Sequence, residues 1–382
     1  MLSAGEEALL PVYAQMPIRP VSGRGAWLVD EDGAEWLDAY GGHAVASTGH
    51  SHPRVVEAIA AQARRLVFYS TAVPYPLRLE LASALAARCP GALGRVFFCN
   101  SGAEANENAL HLARKATGRS GVASVTGGWH GRTVATLACC DGASYEAGAL
   151  RAGMALSARV TFNDVTSLDA VLDDSMAALL VEPVQGMAGA RDCSVEFLVA
   201  ARRICTERGI ALLFDEVQCG VGRSGTFTAA ESYGVVPDGL TMAKGLGSGY
   251  PIGALVAGPM LADGVGVGDL GSTFGGGPLA CAAALATLAV ITDEDLAGNA
   301  ARVGAHIAAG ARALGARTVW GRGLLLGLDF GRPARELQQA LFDRRILTGT
   351  SSDPQVLRIM PPLALSVQEA DLLLAGLREV LT

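Results

Sequence analysis

Six short apolar runs, "RVFFC", "GVASVT", "AALLVEP", "IALLFDE", "GLTMAK" and "GALVAG", punctuate the chain between residues 95 and 258. Runs of this length without polar alternation are strands buried on both faces. Helical periodicity lies between and around them, over Pro53–Arg65, Leu77–Arg88, Ala103–Thr117, Val195–Arg208, Pro278–Asp293, Leu296–Leu314, Glu336–Arg344 and Val367–Leu381. The alternation predicts an α/β fold, a mostly parallel sheet covered by helices on both faces. In the last quarter, two helices flank "LLLGLDF" and "VLRIMP", which reads as a smaller α+β unit. The early "AWLVDEDGAEWLDAY" carries a DG turn, predicts a hairpin and joins that unit. The expected division is 51–289 for the large unit, and 1–50 with 290–382 for the small one.

Open α/β sheets bind ligands beyond the carboxyl ends of their strands. Glu182, Asp215 and Lys244 each end or closely follow an apolar run. "ALLFDEVQCG" sets Asp215 beside Glu216, but neighbouring strand residues point to opposite faces, so the two acids cannot share a substrate. Glu216 is therefore expected to be structural, its partner unidentified. "GVGRSG" and "GVGDLG" both match GxGxxG. A dinucleotide site needs the first glycine at a strand end and opening a helix, which neither motif offers.

"NSGAEANENALHLARK" follows "RVFFC" directly, and Ser101 with Glu104 forms an S-x-x-E capping box. Either this is only a well-capped helix, or its free N–H groups cradle a phosphate, with Gly102 permitting close approach. Lys244 is either a surface lysine or, desolvated after "GLTMA", an amine able to form a Schiff base with an aldehyde. "GGWHGRT" puts Trp129 and Arg132 on one loop, with His130 read as structural. Arg358 sits in the apolar strand "VLRIMPPL", where a guanidinium demands a carboxylate, internal or from a substrate. Two arginines approaching one pocket from two domains suit substrates bearing carboxylates. His50 and His52 in "GHSHP" have no acid or thiol close by and read as a turn, so no metal is expected.

A net charge of −7 argues against nucleic acid and anionic membranes as partners. No signal peptide or membrane span is legible, and eight cysteines without a CxxC pair read as small hydrophobes in a reducing cytoplasm.

Taken in order, "NSGAEAN", "WHGRT", "EPVQG", "DEVQCGVGRSG", "AKGLGSGYPIGA" and "STFGGGPLACAAAL" make the chain resemble the class III pyridoxal-phosphate aminotransferases, above all the acetylornithine aminotransferase subgroup. The resemblance runs from about Trp27 to Arg358. It implies the aspartate-aminotransferase fold, pyridoxal 5'-phosphate as cofactor, and a cytoplasmic homodimer with sites at the subunit interface. By the same resemblance Lys244 is the Schiff-base lysine and Asp215 holds the pyridinium nitrogen protonated. Val217 packs on one ring face, Trp129 stacks and Gln218 reaches the phenolic oxygen. Ser101, Gly102 and Ala103 bind the phosphate together with the partner subunit's Thr273. Arg132 takes a substrate carboxylate beside the partner subunit's Ser272, and Arg358 takes the α-carboxylate of glutamate.

The implied reaction moves a terminal amino group from an N-acylated ornithine to 2-oxoglutarate. Ornithine, succinylornithine, carrier-linked lysine, 4-aminobutyrate and aminomutase chemistry remain alternatives. Trp27 and His43 either tune the donor or are structural. Three departures stand out: Trp129 replaces the family's Phe, Gly277 stands in "FGGGP" for "FGGNP", and Met187 stands in "EPVQGM" where many relatives carry glutamate. In those relatives the glutamate masks the arginine matching Arg358. Met187 cannot do so, and Arg358 is expected to be free, or paired elsewhere, in both half-reactions.

Overall fold

The computed structural model describes residues 8–382. Its central sheet has seven strands, in the order Arg95–Cys99, Gly253–Ala257, Gly239–Met242, Ala211–Asp215, Met176–Val181, Gly121–Val125 and Ala158–Val160. Only Gly253–Ala257 runs antiparallel to its neighbours. All six apolar runs of the sequence lie in this sheet. Every residue of Ala211–Asp215, Gly239–Met242 and Gly253–Ala257 is buried, which is why these strands show no alternation.

Gly102–Thr117 packs on the sheet through Ala105, Ala109 and Ala113, whose small side chains allow a close approach. Ser101 caps its start and Gly118, at φ 69°, ends it in the left-handed conformation that glycine tolerates. The expected capping box is shifted by one residue. Ser101 Oγ accepts from the Glu104 N–H, but the Glu104 carboxylate accepts from the Asn100 N–H and the Ser101 hydroxyl rather than from the Ser101 N–H.

Two helices, Pro76–Ala86 and Ala334–Phe342, end two residues before the expected position. Their ends tighten into three-residue turns, Arg88 N–H to Leu85 and Arg344 N–H to Leu341. Short helices at Val134–Cys139, Ala143–Arg151 and Val165–Val171 carry too few turns to show a period in the sequence. Pro278–Asp293 begins at Gly277, which has no side chain to cap it. Glycine at such a position costs only a few tenths of a kcal/mol relative to asparagine, so that departure is tolerated.

Trp27–Asp30 and Glu35–Asp38 form the predicted hairpin. Asp30 ties its turn by accepting from the N–H groups of Asp32 and Ala34 and from the Trp36 indole. A second four-stranded sheet, Thr318–Arg322, Leu325–Asp329, Val356–Ile359 and Gly349–Thr350, carries Arg358. The "GVGRSG" loop serves it: buried Arg223 donates to the carbonyls of Leu324 and Pro361, fastening the segment after Asp215 to the C-terminal strands. All eight cysteines are unpaired, and all except the half-buried Cys89 are buried. No described helix is long and apolar enough to cross a membrane.

Candidate active site

Three adjacent parallel strands deliver three ionisable groups to one edge. Met176–Val181 leads to Glu182, Ala211–Asp215 ends at Asp215, and Gly239–Met242 leads to Lys244. Asp215 lies next to Thr241 across the ladder, so Lys244 begins three residues beyond its neighbour.

Asp215 is buried and fully partnered. Its Oδ2 accepts from Asn106 Nδ2 and from His130 Nδ1, both at 2.8 Å, and its Oδ1 accepts from the Val217 N–H at 3.0 Å. His130 thus carries its proton on Nδ1, since a carboxylate only accepts. Asn106 is itself fixed: its amide also donates to the His130 carbonyl, and its Oδ1 accepts from Thr241 Oγ1. Glu216 turns the other way, as strand alternation requires. Its two oxygens accept from the N–H groups of Ala229 (2.6 Å) and Ala230 (2.8 Å) at the start of the Ala229–Tyr233 helix. Burial pushes its carboxyl up to about 8. The adjacent acids are two separate devices, one facing the cavity and one pinning a helix.

Lys244 adopts φ 43°, an uncommon backbone for a side chain of this size, at the head of a short 3₁₀ turn. Among the described residues its ammonium has no hydrogen bond or ion pair. Burial lowers its pKa, with Asp215 and Glu182 opposing. Its Nζ lies 5.8 Å from the Trp129 ring centroid. Glu182 accepts from the N–H groups of Trp129 (2.7 Å) and Gly186 (3.2 Å), and burial pushes its carboxyl up to about 7.

One cavity of about 950 Å³ gathers most of the residues singled out in the sequence: Ser101, Gly102, Ala103, Trp129, Arg132, Asp215, Val217, Gln218, Lys244 and Arg358. Met187 and His43 line it too. Ser272 and Thr273 do not. Ser272 Oγ instead accepts from the Asn100 amide and the Gly275 N–H, and Thr273 is exposed. Trp27 also lies outside the cavity, its indole donating to Glu369 near the start of the last helix. His50 pairs with Asp38 and His52 with Glu294. No cluster of three or more metal-ligating side chains occurs among the described residues.

Of the two carboxylate sources expected for Arg358, internal or substrate, the described residues leave only the substrate. Its Nε donates to the Thr350 carbonyl at 2.6 Å and its Nη1 to the Gly186 carbonyl at 3.2 Å. No carboxylate among the described residues pairs with it. Two backbone dipoles hold the buried cation, and burial lowers its pKa. Gly186 meets three groups at once. Its N–H binds Glu182, its carbonyl binds Arg358, and an added Cβ would lie 1.6 Å from Gln218 Oε1.

Several cavity features were not legible in advance. Gly41, Gly42, His43 and Ala44 all adopt positive φ, a left-handed turn that sets His43 against Tyr40, with Tyr40 Oη 2.6 Å from His43 Nδ1. Loss of water around the ring lowers the His43 pKa, and Arg358 and Lys244 lower it further. Asn106 did carry a signal: it lies three, four and seven residues before Ala109, Leu110 and Ala113, a polar side chain on the buried face.

Residues 11–381 match the model of the class-III aminotransferase family. The chain belongs to that family. It is 40% identical over 378 residues to acetylornithine aminotransferase 1 of Bordetella pertussis, covering 95% of each chain. Acetylornithine aminotransferase of Methanocaldococcus jannaschii is 39% identical over 386 residues, covering 98% of this chain and 96% of its own. Among solved structures, the ornithine aminotransferase of Toxoplasma gondii ME49 superposes with a TM-score of 0.90 at 29% identity, covering 98% of this chain and 92% of its own. Acetylornithine aminotransferase from Elizabethkingia anophelis gives 0.86 at 29% identity, covering 98% and 96%.

The donor set of this class-III aminotransferase fits pyridoxal 5'-phosphate. An uncommitted amine suits an aldehyde, a buried carboxylate suits a ring nitrogen, and a helix N-terminus suits a phosphate. Gly102 leaves the room: a Cβ there would lie 2.6 and 2.7 Å from the two Val217 methyls, so only glycine keeps the cradle open beside Val217.

Proposed function

We propose that this chain is a pyridoxal-phosphate-dependent aminotransferase that moves the terminal amino group of an N-acylated ornithine-type diamino acid to 2-oxoglutarate, giving a semialdehyde and glutamate. One observation carries the reading. Lys244, with no partner among the described residues, lines the same cavity as Asp215, whose two oxygens are held by three donors. The cofactor, when bound, supplies the electron sink that lets a carbon next to the amine give up its proton.

The chain does the rest. Ser101, Gly102 and Ala103 present the start of a sixteen-residue helix to the phosphate. Asp215, its two oxygens held by three donors, would keep a proton on the ring nitrogen. Val217 and Trp129 offer apolar faces to the ring, and Gln218 is the polar group for its oxygen. Lys244 Nζ, with its lowered pKa, takes and returns the proton at the reacting carbon. Arg358 and Arg132 receive the two carboxylates of 2-oxoglutarate and glutamate.

The working unit in this reading is a homodimer in the cytoplasm, with 51–289 holding the cofactor and 1–50 with 290–382 closing over it. Exposed Phe274 stacks on Phe68 with ring centroids 5.1 Å apart, beside Ser272 and Thr273, which lie outside this chain's own cavity. That placement supports supply of the partner subunit's Ser272 and the partner subunit's Thr273 across an interface. Unpaired cysteines support a reducing compartment.

The test is a pair of half-reactions on enzyme loaded with cofactor. N-acetylornithine converts the aldehyde form to the amine form, and 2-oxoglutarate converts it back, each followed by absorbance. Lys244→Ala abolishes both. Turnover without any 2-oxoglutarate would instead identify an aminomutase.

A further inference from the structure

The cavity holds more positive charge than 2-oxoglutarate and the cofactor use. Besides Lys244, three arginines line it: Arg132, Arg335 and Arg358. Its acids are Glu182 and Asp215, and both are committed to donors of the protein. The two carboxylates of glutamate account for Arg132 and Arg358. Arg335 is left over.

Arg335 is the second residue of the Ala334–Phe342 helix. It is exposed where Arg358 is buried, so it stands at the cavity mouth rather than its floor. Among the described residues it has no ion pair and no hydrogen bond. The polar neighbours on its helix are occupied: the Gln338 amide donates to the Thr348 carbonyl and the Gln339 amide to Asp343. Tyr40 and His43 satisfy each other at 2.6 Å and bring no negative charge to the cavity. A cation with no protein partner beside a substrate cavity attracts an anion on the substrate.

The donor fixes which anion. With its terminal amine at Lys244, an N-acylated ornithine extends toward the mouth, its α-carboxylate within the arginine-lined cavity and its acyl group outermost. We infer that Arg335 is a specificity-determining residue that binds a carboxylate on the donor's acyl group, so that the enzyme prefers ornithine acylated by a dicarboxylic acid, such as succinate, over ornithine bearing a neutral acetyl group. The inference rests on the donor class proposed above and narrows it.

Single-turnover half-reactions of the cofactor-loaded enzyme with N-acetylornithine, N-succinylornithine and glutamate test it. The wild-type enzyme shows kcat/KM about fivefold higher for the succinyl than for the acetyl donor, the upper size expected of one solvent-exposed ion pair. Arg335→Gln removes that advantage through KM, and Arg335→Lys keeps part of it. A wild-type enzyme that treats the two acylated donors alike overturns the inference alone. So does an Arg335→Gln variant that loses all three substrates equally. Silence toward both acylated donors, with glutamate still reacting, overturns the donor class and this inference with it.

Discussion

Replacing Met187 by glutamate tests how this enzyme tells its two amino donors apart. Arg358 is 3% exposed, sits on the carbonyls of Thr350 and Gly186, and has no carboxylate partner among the described residues. Met187 follows Gly186 directly and lines the same cavity. A carboxylate brought to about 4 Å from the guanidinium gains about 4 kcal/mol at an effective dielectric of about 20. Water in an open cavity screens about half of that, leaving about 2 kcal/mol that the α-carboxylate of glutamate must overcome, or about 30-fold in affinity.

The assay is the half-reaction of Met187→Glu with glutamate against that with N-acetylornithine, whose reacting end brings no carboxylate to Arg358. The glutamate kcat/KM falls about 30-fold while the N-acetylornithine value stays within about threefold, and Met187→Gln changes neither. An unchanged ratio of the two donors in Met187→Glu refutes the reasoning, because Arg358 would then not be the seat of the α-carboxylate.

Asn106→Leu leaves the His130 carbonyl and the Thr241 hydroxyl buried without their partners, at about 1–3 kcal/mol each, and strips one donor from Asp215. Thermal denaturation should show a melting temperature lower by several degrees, and stopped-flow should show both half-reactions slowed about tenfold. Gly102→Ala pushes a methyl into Val217 and weakens cofactor binding about tenfold or more in an absorbance titration; an unchanged Kd would refute the cradle. Glu216, raised by burial to about 8, keeps its proton in the folded chain over a pH range where the unfolded chain has lost it. The folded state then binds more protons, so this group's contribution to stability falls as pH rises from about 4.5 to about 8. Glu216→Gln removes that slope and gains on the wild type as pH rises, which unfolding at pH 5 and pH 8 checks; parallel curves would refute it.

The sheet was readable because burial on both faces erases polar alternation, and the long helices because their caps and periods agree. The separation of Asp215 from Glu216 followed from the pleat alone. The partner of Glu216 did not, since the Ala229–Tyr233 helix it pins is only five residues long and follows a loop. The turn at 41–44 was hidden for another reason. His43 and Ala44 hold left-handed backbones that their side chains disfavour, and only tertiary contacts impose them. Arg358 was placed correctly in an apolar strand, and its expected carboxylate is left to the substrate, but the two main-chain oxygens that hold it in the protein were not foreseen. Backbone acceptors carry no residue identity, so no motif announces them.

Gly186 has a consequence for how this cavity can change. Its amide steadies Glu182 under Trp129, its carbonyl steadies Arg358, and its bare Cα accommodates Gln218. The part of the cavity that faces the ring and the part that faces the carboxylate therefore share a single joint with no side chain of its own. Variation at most lining positions can be gradual, trading one contact for a slightly poorer one. At 186 the first carbon added lands on the end of the Gln218 side chain, which must swing aside while the amide and carbonyl still hold Glu182 and Arg358, so a change there is felt at Gln218 before it reaches the other two.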